Sequence, residues 1–181
     1  MDCVEGKAEG HKVLLTFTFR RTNLMLIFLL DSQTQEEVLR VFSFLEAELG
    51  TDLFKHLFEV ILTDGGSEFS DRTGMETSSD GKTQRTTVYY CDPYSFWQKG
   101  CCEKNHEYIR YVRKKGSSFD DLDQDKVTLL ANHINNTKRD SLNRHSPFEL
   151  SQLLLDDQLL SAMGYEYIAP DDVVLTPDLI K

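Results

Sequence analysis

The sequence predicts an α/β fold, because strand-type and helix-type hydrophobic patterns alternate along its 181 residues. Residues 12–20 alternate between apolar and other side chains, and residues 24–30 are apolar throughout, so both stretches indicate strands. A helical pattern follows, and a short apolar strand comes after it at residues 60–62. The length suits one domain with one hydrophobic core.

The first two strands differ in how they are buried. The alternation in residues 12–20 is typical of a strand with one buried face, whereas the unbroken apolar run 24–30 favours a strand covered on both faces. Residues 20–23, which are polar, separate the two stretches. We therefore expect them to form a hairpin connection.

The first helix is predicted from its two ends and its apolar face. Thr34 with Glu37 three residues later predicts a capping box at its start, and Gly50 predicts its end. Its apolar residues recur at helical spacing. They are Val38, Val41, Phe42, Leu45 and Leu49.

The strand at residues 60–62 leads directly to an acidic residue and a turn. Asp64 follows this strand and precedes Gly65 and Gly66. The carboxyl ends of strands are where open α/β sheets place their chemistry. Farther on, residues 75–90 predict a peripheral hairpin that turns at Asp80-Gly81, with residues 86–90 as its returning arm.

The second half of the sequence is predicted to be mainly helical. Residues 93–100 indicate a loop, and helices are expected over residues 103–113 and 125–135. A further helix over residues 146–155 has an N-cap Ser, a Pro at its first position and a capping-box Glu. The tail, residues 169–181, contains two prolines and is expected to be extended or irregular.

The charge distribution bears on the class of partner. The net charge of −10 argues against nucleic acid as a partner, because phosphate binding requires lysine and arginine. However, residues 99–116 carry six basic and two acidic side chains, a local charge of +4. This stretch is a candidate for nucleic-acid contact, but on charge alone a basic stretch is more often a solvated helix face.

The hydrophobic runs and the cysteine spacing exclude several classes of protein. The longest apolar run, residues 24–30, is far shorter than the ~20 residues that a membrane span requires, and the N-terminal residues do not resemble a signal peptide. The four cysteines form no C-x-x-C pair or zinc-type spacing, so reduced thiols are expected. We therefore expect a cytoplasmic protein with no membrane contact.

Three acidic residues stand out by position: Asp2, Asp64 and Glu103. Carboxylates on separate elements can hold two divalent metal ions about 4 Å apart, as in enzymes that cleave phosphodiester bonds. Such hard oxygen ligands suit Mg²⁺ or Mn²⁺. In a sequence with 30 acidic residues, however, spacing alone does not identify a site.

Longer motifs carry a family resemblance. They are VILTDGGSEFS, YYCDPYSFWQKGCCEKNHEYIRYVRKKGSSFDDL, HINNTKRDSLNRHSPFEL and MDCVEGK. Together they resemble the integrase-type catalytic core of bacterial insertion-sequence transposases of the thirty group, which are DDE transposases. The resemblance covers nearly the whole chain and implies a ribonuclease-H-like fold: a mixed five-stranded sheet flanked by helices, with extra C-terminal helices.

The resemblance assigns roles to the three acidic residues. The first Asp of the family motif falls on Asp2, the second Asp on Asp64, and the Glu on Glu103. The resemblance therefore implies that all three are catalytic residues and ligands of two Mg²⁺ ions, for which Mn²⁺ can substitute. The implied reactions are metal-dependent hydrolysis at the transposon ends and strand transfer to target DNA. Glu107, one helical turn after Glu103, is a rival ligand, and Glu5 and Glu68 are weaker ones.

The resemblance also implies DNA as the partner. The basic residues expected to contact DNA are Lys99, Lys104, Arg110, Lys114 and Lys115. Beside Glu103, His106 is either a contact for DNA or the metal site, or a charge partner of the neighbouring glutamates. Joining two transposon ends implies a homodimer or a higher oligomer.

Two departures from the family pattern affect these expectations. Gly65 stands where the family usually has Asn after the second Asp, which removes an amide that could order the turn. The helix-turn-helix region that family members carry ahead of the core is expected to be absent here. We expect residues 1–150 to form the catalytic core and residues 151–181 a helical and extended tail packed on it.

Two other functions remain open at this point. A metal-dependent nuclease of the same fold would cut DNA without joining it. A truncated and catalytically inactive remnant would act only in self-association.

Overall fold

The computed structural model of this protein describes residues 1–7, 10–92 and 100–181, and for residues 100–103 it describes the backbone alone. Three strands open the chain and form an antiparallel sheet in the order β1-β2-β3. They are β1 (Asp2–Val4), β2 (Val13–Thr18) and β3 (Met25–Leu30). The predicted hairpin between the two longer strands is confirmed, and Asn23 adopts a positive φ of 58° in the connection.

The first helix is confirmed and a second follows it without a loop. Helix α1 spans Gln35–Leu49, and α2 spans Thr51–Leu57. Gly50, with a φ of 76°, ends α1 as predicted, but the chain returns at once to helical geometry. The capping box is only half formed, because the Glu37 carboxylate accepts from Asp31 and Arg40 instead of from the N–H of Thr34.

The predicted hairpin over residues 75–90 is wrong in its returning arm. Strands β4 (Val60–Thr63) and β5 (Thr87–Tyr90) pair in parallel, with the 3₁₀ turn Ser67–Phe69 and helix α3 (Arg72–Glu76) between them. Because residues 72–76 are helical, they offer no strand edge to residues 87–90, which pair with β4 instead. An antiparallel bridge between Thr77 and Gln84 keeps only the tip of the hairpin.

Three further helices follow their predicted bounds closely: α4 (Gly100–Val112), α5 (Gln124–Asn136) and α6 (Pro147–Leu154). Helix α7 (Asp157–Ala162), for which no bounds were predicted, lies within residues 151–181, which were expected to be helical and extended. The Ser146 capping box at the start of α6 has both of its hydrogen bonds. The tail is irregular apart from a 3₁₀ turn at Pro170–Asp172. The helices in the described parts of the chain are all too short or too polar to cross a membrane.

Helices cover both faces of the three-stranded sheet. The ring of Phe17 on β2 packs against Phe42 of α1, with 5.7 Å between their centroids. The next residue back, Thr16, points the other way, and its Oγ1 lies 2.9 Å from Nε2 of His106 on α4. Since successive side chains of a strand point to opposite faces, α1 and α4 lie on opposite sides of the sheet.

The α/β class is confirmed, but the described strands form two sheets, of three and two strands, instead of one five-stranded sheet. The two sheets meet at Met1, whose ammonium group donates to the carbonyl oxygen of Leu62 at 2.7 Å. Because β1 has only three residues, it offers β4 few backbone groups for pairing. The start of β1 nevertheless lies beside the end of β4.

Side chains close the outer edge of β3. The amide of Asn135 exchanges two hydrogen bonds with the backbone of Met25, both of 2.9 Å. Gln124 bonds in the same way to the carbonyl of Ile27 and the N–H of Leu29, and the Tyr165 hydroxyl accepts from the N–H of Ile27 and donates to Met25. These side chains satisfy the edge strand as a neighbouring strand would, and they fix α5 along the sheet.

Candidate active site

Two of the three predicted acidic residues lie at neighbouring strand ends, where β1 begins and β4 ends. Asp2 is the first residue of β1, and Asp64 directly follows β4. The hydrogen bond from Met1 to Leu62 brings these two strand ends together. Both side chains are half-buried. The sheets therefore place two carboxylates that are distant in sequence at one edge of the fold.

The Asp2 carboxylate is held by its own strand and by α4. Its Oδ1 accepts from the N–H of Cys3 at 3.0 Å, and its Oδ2 lies 3.9 Å from Nδ1 of His106. The backbone carbonyl of Asp2 also accepts from Oγ1 of Thr16 at 3.1 Å. Asp2 is thus fixed at its carboxylate and at its backbone.

The turn after β4 is ordered by Asp64 itself. Its Oδ1 accepts from the N–H of Gly66 at 3.2 Å, which closes a short side-chain turn. At Gly65 the structure is open, since a Cβ there would meet no atom within 4 Å. The missing amide at Gly65 therefore does not leave the turn without a hydrogen bond.

The buried carboxylate of Glu68 packs against this turn. Glu68 is 6% exposed, and its Oε1 accepts from Nε2 of Gln33 at 2.7 Å. A Cβ at Gly66 would lie only 2.5 Å from Oε2 of Glu68. Sequence reasoning treated Glu68 only as a weak rival ligand and missed this contact, although the T-D-x-G-x-E-F motif contains both residues.

Negative charge is concentrated around one thiol at this edge. The pKa of Cys3 is raised far above its ordinary value, first by burial and then by the carboxylate of Glu68, with further contributions from Asp2 and Asp64. Carboxylates from three different segments of the chain thus raise the pKa of the same thiol. Such a concentration of negative charge attracts cations.

The third predicted ligand belongs to α4. Glu103 lies in the first turn of this helix, and its side chain is outside the described residues. His106, which contacts both β1 and β2, follows three residues later, so positions 103 and 106 share a helix face. Glu107 is exposed. The assignment of the third ligand to Glu103 stays a prediction.

The donor set fits a hard divalent cation. Asp2 and Asp64 supply carboxylate oxygens at one edge, and such oxygens are the ligands that Mg²⁺ prefers. Among the side chains in the described part of the chain, no three His, Cys, Asp or Glu residues form a group that could hold a metal ion. A complete metal site here requires a further ligand, and position 103 is the predicted source.

The basic residues on and after α4 differ in their exposure. Lys104, Lys114 and Lys115 are exposed, whereas Lys99 lies outside the described residues. Arg110 is partly buried, and burial lowers the pKa of its guanidinium. Its Nη2 donates to the carbonyl of Glu5 at 2.9 Å, while no described residue bonds to its buried Nη1. DNA contact by these residues stays a prediction.

A buried arginine anchors the other side of α4. Arg139 donates to the side chain of Asn105, and its guanidinium carbon lies 4.5 Å from the ring centroid of Tyr108. Both partners belong to α4. These contacts give Arg139 a structural role in holding α4.

Comparison with known proteins gives several transposases. The chain matches no protein-family model. It is 27% identical over 150 residues to the transposase for insertion sequence element IS4351 of Bacteroides fragilis. It is also 27% identical over 149 residues to transposase InsI for insertion sequence element IS30C of Escherichia coli K12. A shorter match, 38% identical over 68 residues, is to the transposase for IS1086 of Cupriavidus metallidurans.

The coverage of these matches is unequal. The first two cover 82% of this chain but 42% and 36% of the relatives. The third covers 37% of this chain and 20% of the relative. The chain thus spans less than half the length of the curated relatives it matches. Over about four fifths of its length it is similar to insertion-sequence transposases, including one from the thirty group, and the resemblance predicted from its motifs is confirmed.

Proposed function

We propose that this chain is the catalytic core of a DNA transposase that cuts and joins phosphodiester bonds. The observation that carries the proposal is the bond between Met1 and Leu62, because it brings the start of β1, where Asp2 lies, beside the end of β4, which Asp64 follows. The similarity to transposases over 82% of the chain supports the same proposal. We further propose that the two sheets are parts of a ribonuclease-H-like arrangement, joined at this bond.

The proposed site consists of Asp2, Asp64 and Glu103 as catalytic residues and ligands of two Mg²⁺ ions, which Mn²⁺ can replace. Bound ions of this kind lower the pKa of an attacking water or hydroxyl and neutralise the leaving oxygen. The chain's own contribution is to hold its carboxylates in place before substrate arrives. Asp2 is fixed by Cys3 and Thr16, and Asp64 by the N–H of Gly66.

DNA is the proposed substrate and partner. The exposed Lys104 is next to Glu103 on α4, and the exposed Lys114 and Lys115 follow the helix end. Cationic side chains at these positions can contact phosphates on either side of the bond that reacts. Since joining requires two transposon ends, we propose that the active form contains at least two copies of the chain.

A gel assay tests this function. The chain is mixed with Mn²⁺, a labelled duplex that ends in a 3′-hydroxyl and an unlabelled plasmid, and we expect labelled strands to become joined to the plasmid. Asp64→Asn and Glu103→Gln are expected to abolish joining, whereas Glu107→Gln, one turn along the same helix, is the matched control and should retain it.

The outcomes separate the alternatives. Plasmid cutting that needs Asp64 but yields no joined product would identify a nuclease. An intact fold that neither cuts nor joins would favour the inactive remnant. Equal loss of joining in Glu103→Gln and Glu107→Gln would contradict the assignment of the third ligand.

A further inference from the structure

The contacts of His106 are not explained by packing alone. This residue lies on α4, and only 15% of its side chain is exposed. Its ring touches two strands: Nε2 lies 2.9 Å from Oγ1 of Thr16 on β2, and Nδ1 lies 3.9 Å from Oδ2 of Asp2 on β1. One imidazole therefore connects the helix that carries Glu103 with the strand that carries Asp2.

The direction of the hydrogen bonds can be worked out from the hydroxyl of Thr16. A hydroxyl has one hydrogen to donate, and that of Thr16 is donated to the backbone carbonyl of Asp2 at 3.1 Å. The bond between Thr16 and His106 must therefore run from Nε2–H to the hydroxyl oxygen. In the neutral ring, this leaves the lone pair of Nδ1 directed towards the Asp2 side of the site.

We propose that His106 is a positioning residue for the Asp2 carboxylate and for the first turn of α4. Through Thr16 it ties the backbone of Asp2 to the helix, and through its own ring it limits where the Asp2 carboxylate can lie. This inference rests on the proposed function. It assigns to His106 no contact with DNA and no place among the metal ligands.

Helix geometry explains why this position is suited to the role. Residues three apart on a helix are neighbours on one face, so fixing His106 against β1 and β2 also fixes position 103 on the same side. Arg110, one turn later, adds a second tie through the carbonyl of Glu5, at 2.9 Å. The helix is thereby held at two successive turns, first against β1 and then against the residue that follows β1.

The test measures Mn²⁺ affinity by calorimetric titration, with the melting temperature of each metal-free variant as a check on folding. His106→Leu removes the ring's polar contacts, and Thr16→Val removes the hydroxyl that links His106 to Asp2. Groups that orient metal ligands typically change affinity by about 10–100-fold when removed. We expect a loss in this range for both variants.

Two further variants separate positioning from general packing. His106→Gln keeps a donor near the position of Nε2 and should bind Mn²⁺ within about threefold of the wild type. Thr18→Val is the matched control, because Thr18 lies two residues along β2 and its Oγ1 bonds to no described residue. It should leave the affinity unchanged.

The results distinguish this inference from the proposed function. If the wild type binds no Mn²⁺, both fail together. If the wild type binds and Asp64→Asn does not, but His106→Leu binds as tightly as the wild type, the inference alone is overturned. Nitrogen NMR of the His106 ring gives a second readout that needs no metal: a neutral ring protonated on Nδ1 would also overturn it.

Discussion

The buried pair of Glu46 and Arg85 gives the sharpest prediction about stability. Glu46 is 5% exposed, and its Oε2 lies 2.9 Å from Nη1 of Arg85. Burial alone would raise the pKa of Glu46, but hydrogen bonds from Ser78, Ser79 and Thr51 outweigh it and lower the pKa from 4.5 to about 2. The pair ties α1 to the segment that leads into β5.

The sign of the pH effect follows from this lowered pKa. A carboxyl whose pKa is lower in the folded state stabilises the fold fully above pH 4.5 and loses that effect as the pH falls towards 2. The difference between this pKa and the ordinary value of 4.5 corresponds to about 3 kcal/mol of stability above pH 4.5. By pH 3.5, roughly a third to a half of this stabilisation should already be lost.

The free energy of unfolding of the Glu46→Gln variant can be measured by urea unfolding at pH 7 and at pH 3.5. At pH 7 the variant should be less stable by about 3–5 kcal/mol, because the guanidinium of Arg85 stays buried without its carboxylate. The difference in free energy of unfolding between the variant and the wild type should narrow by about 1 kcal/mol at pH 3.5.

Glu48→Gln, an exposed position on the same helix, is the control and should change the free energy of unfolding by less than about 0.5 kcal/mol. A difference between Glu46→Gln and the wild type that stays constant with pH would refute the argument.

Three further predictions concern the turn, the sheet edge and the basic segment. Gly66→Ala should lower the free energy of unfolding by about 1–3 kcal/mol, because its Cβ would meet the buried carboxylate of Glu68. Gly65→Ala should change the free energy of unfolding by less than about 0.5 kcal/mol. Urea unfolding checks both variants, and equal effects would contradict this prediction. Asn135→Leu leaves the N–H of Met25 without its partner, while the Met25 carbonyl keeps the Tyr165 hydroxyl, and it should cost about 1–3 kcal/mol by the same measurement; an unchanged midpoint would refute this. Replacing Lys114 and Lys115 with Ala should reduce the salt dependence of DNA binding by about one unit of log–log slope per lysine; an unchanged slope would exclude these contacts.

Much of the fold could be predicted because its signals are local. The apolar run 24–30 gave β3, and the capping residues around Ser146 gave α6 to within one residue at its C-terminal end. Both patterns arise from interactions within a few residues, so no knowledge of the rest of the chain is needed. Gly50 shows the limit, because it ends α1 as predicted but gives no sign that α2 begins at once.

Contacts between distant residues could not be predicted in the same way. Residues 87–90 have the composition of a strand, but whether they pair with residues 72–76 or with β4 depends on α3, which is only five residues long. The capping of β3 by Asn135 is similarly invisible, because an asparagine within a helix pattern carries no sign of its partner. Such pairings are set by tertiary structure.

The candidate site was only partly accessible to sequence reasoning. Motif resemblance selected Asp2 and Asp64, and the structure brings them to one edge. The support from Glu68 and the double contact of His106 were not predicted, since both depend on how β1, β2 and α4 meet. Motifs identify the reacting groups better than they identify the side chains that hold them.

We propose that Asp2, Asp64 and Glu103 share one metal site, and iron-directed cleavage of the backbone can locate the bound ion. Fe²⁺ bound in place of Mg²⁺ produces hydroxyl radicals with ascorbate and peroxide, and these cut the backbone close to the ion. We predict cuts beside positions 64 and 103, suppressed by excess Mg²⁺ and absent in Asp64→Asn. Cuts confined to other parts of the chain, or the same cuts in Asp64→Asn, would show that these three residues do not share a metal site.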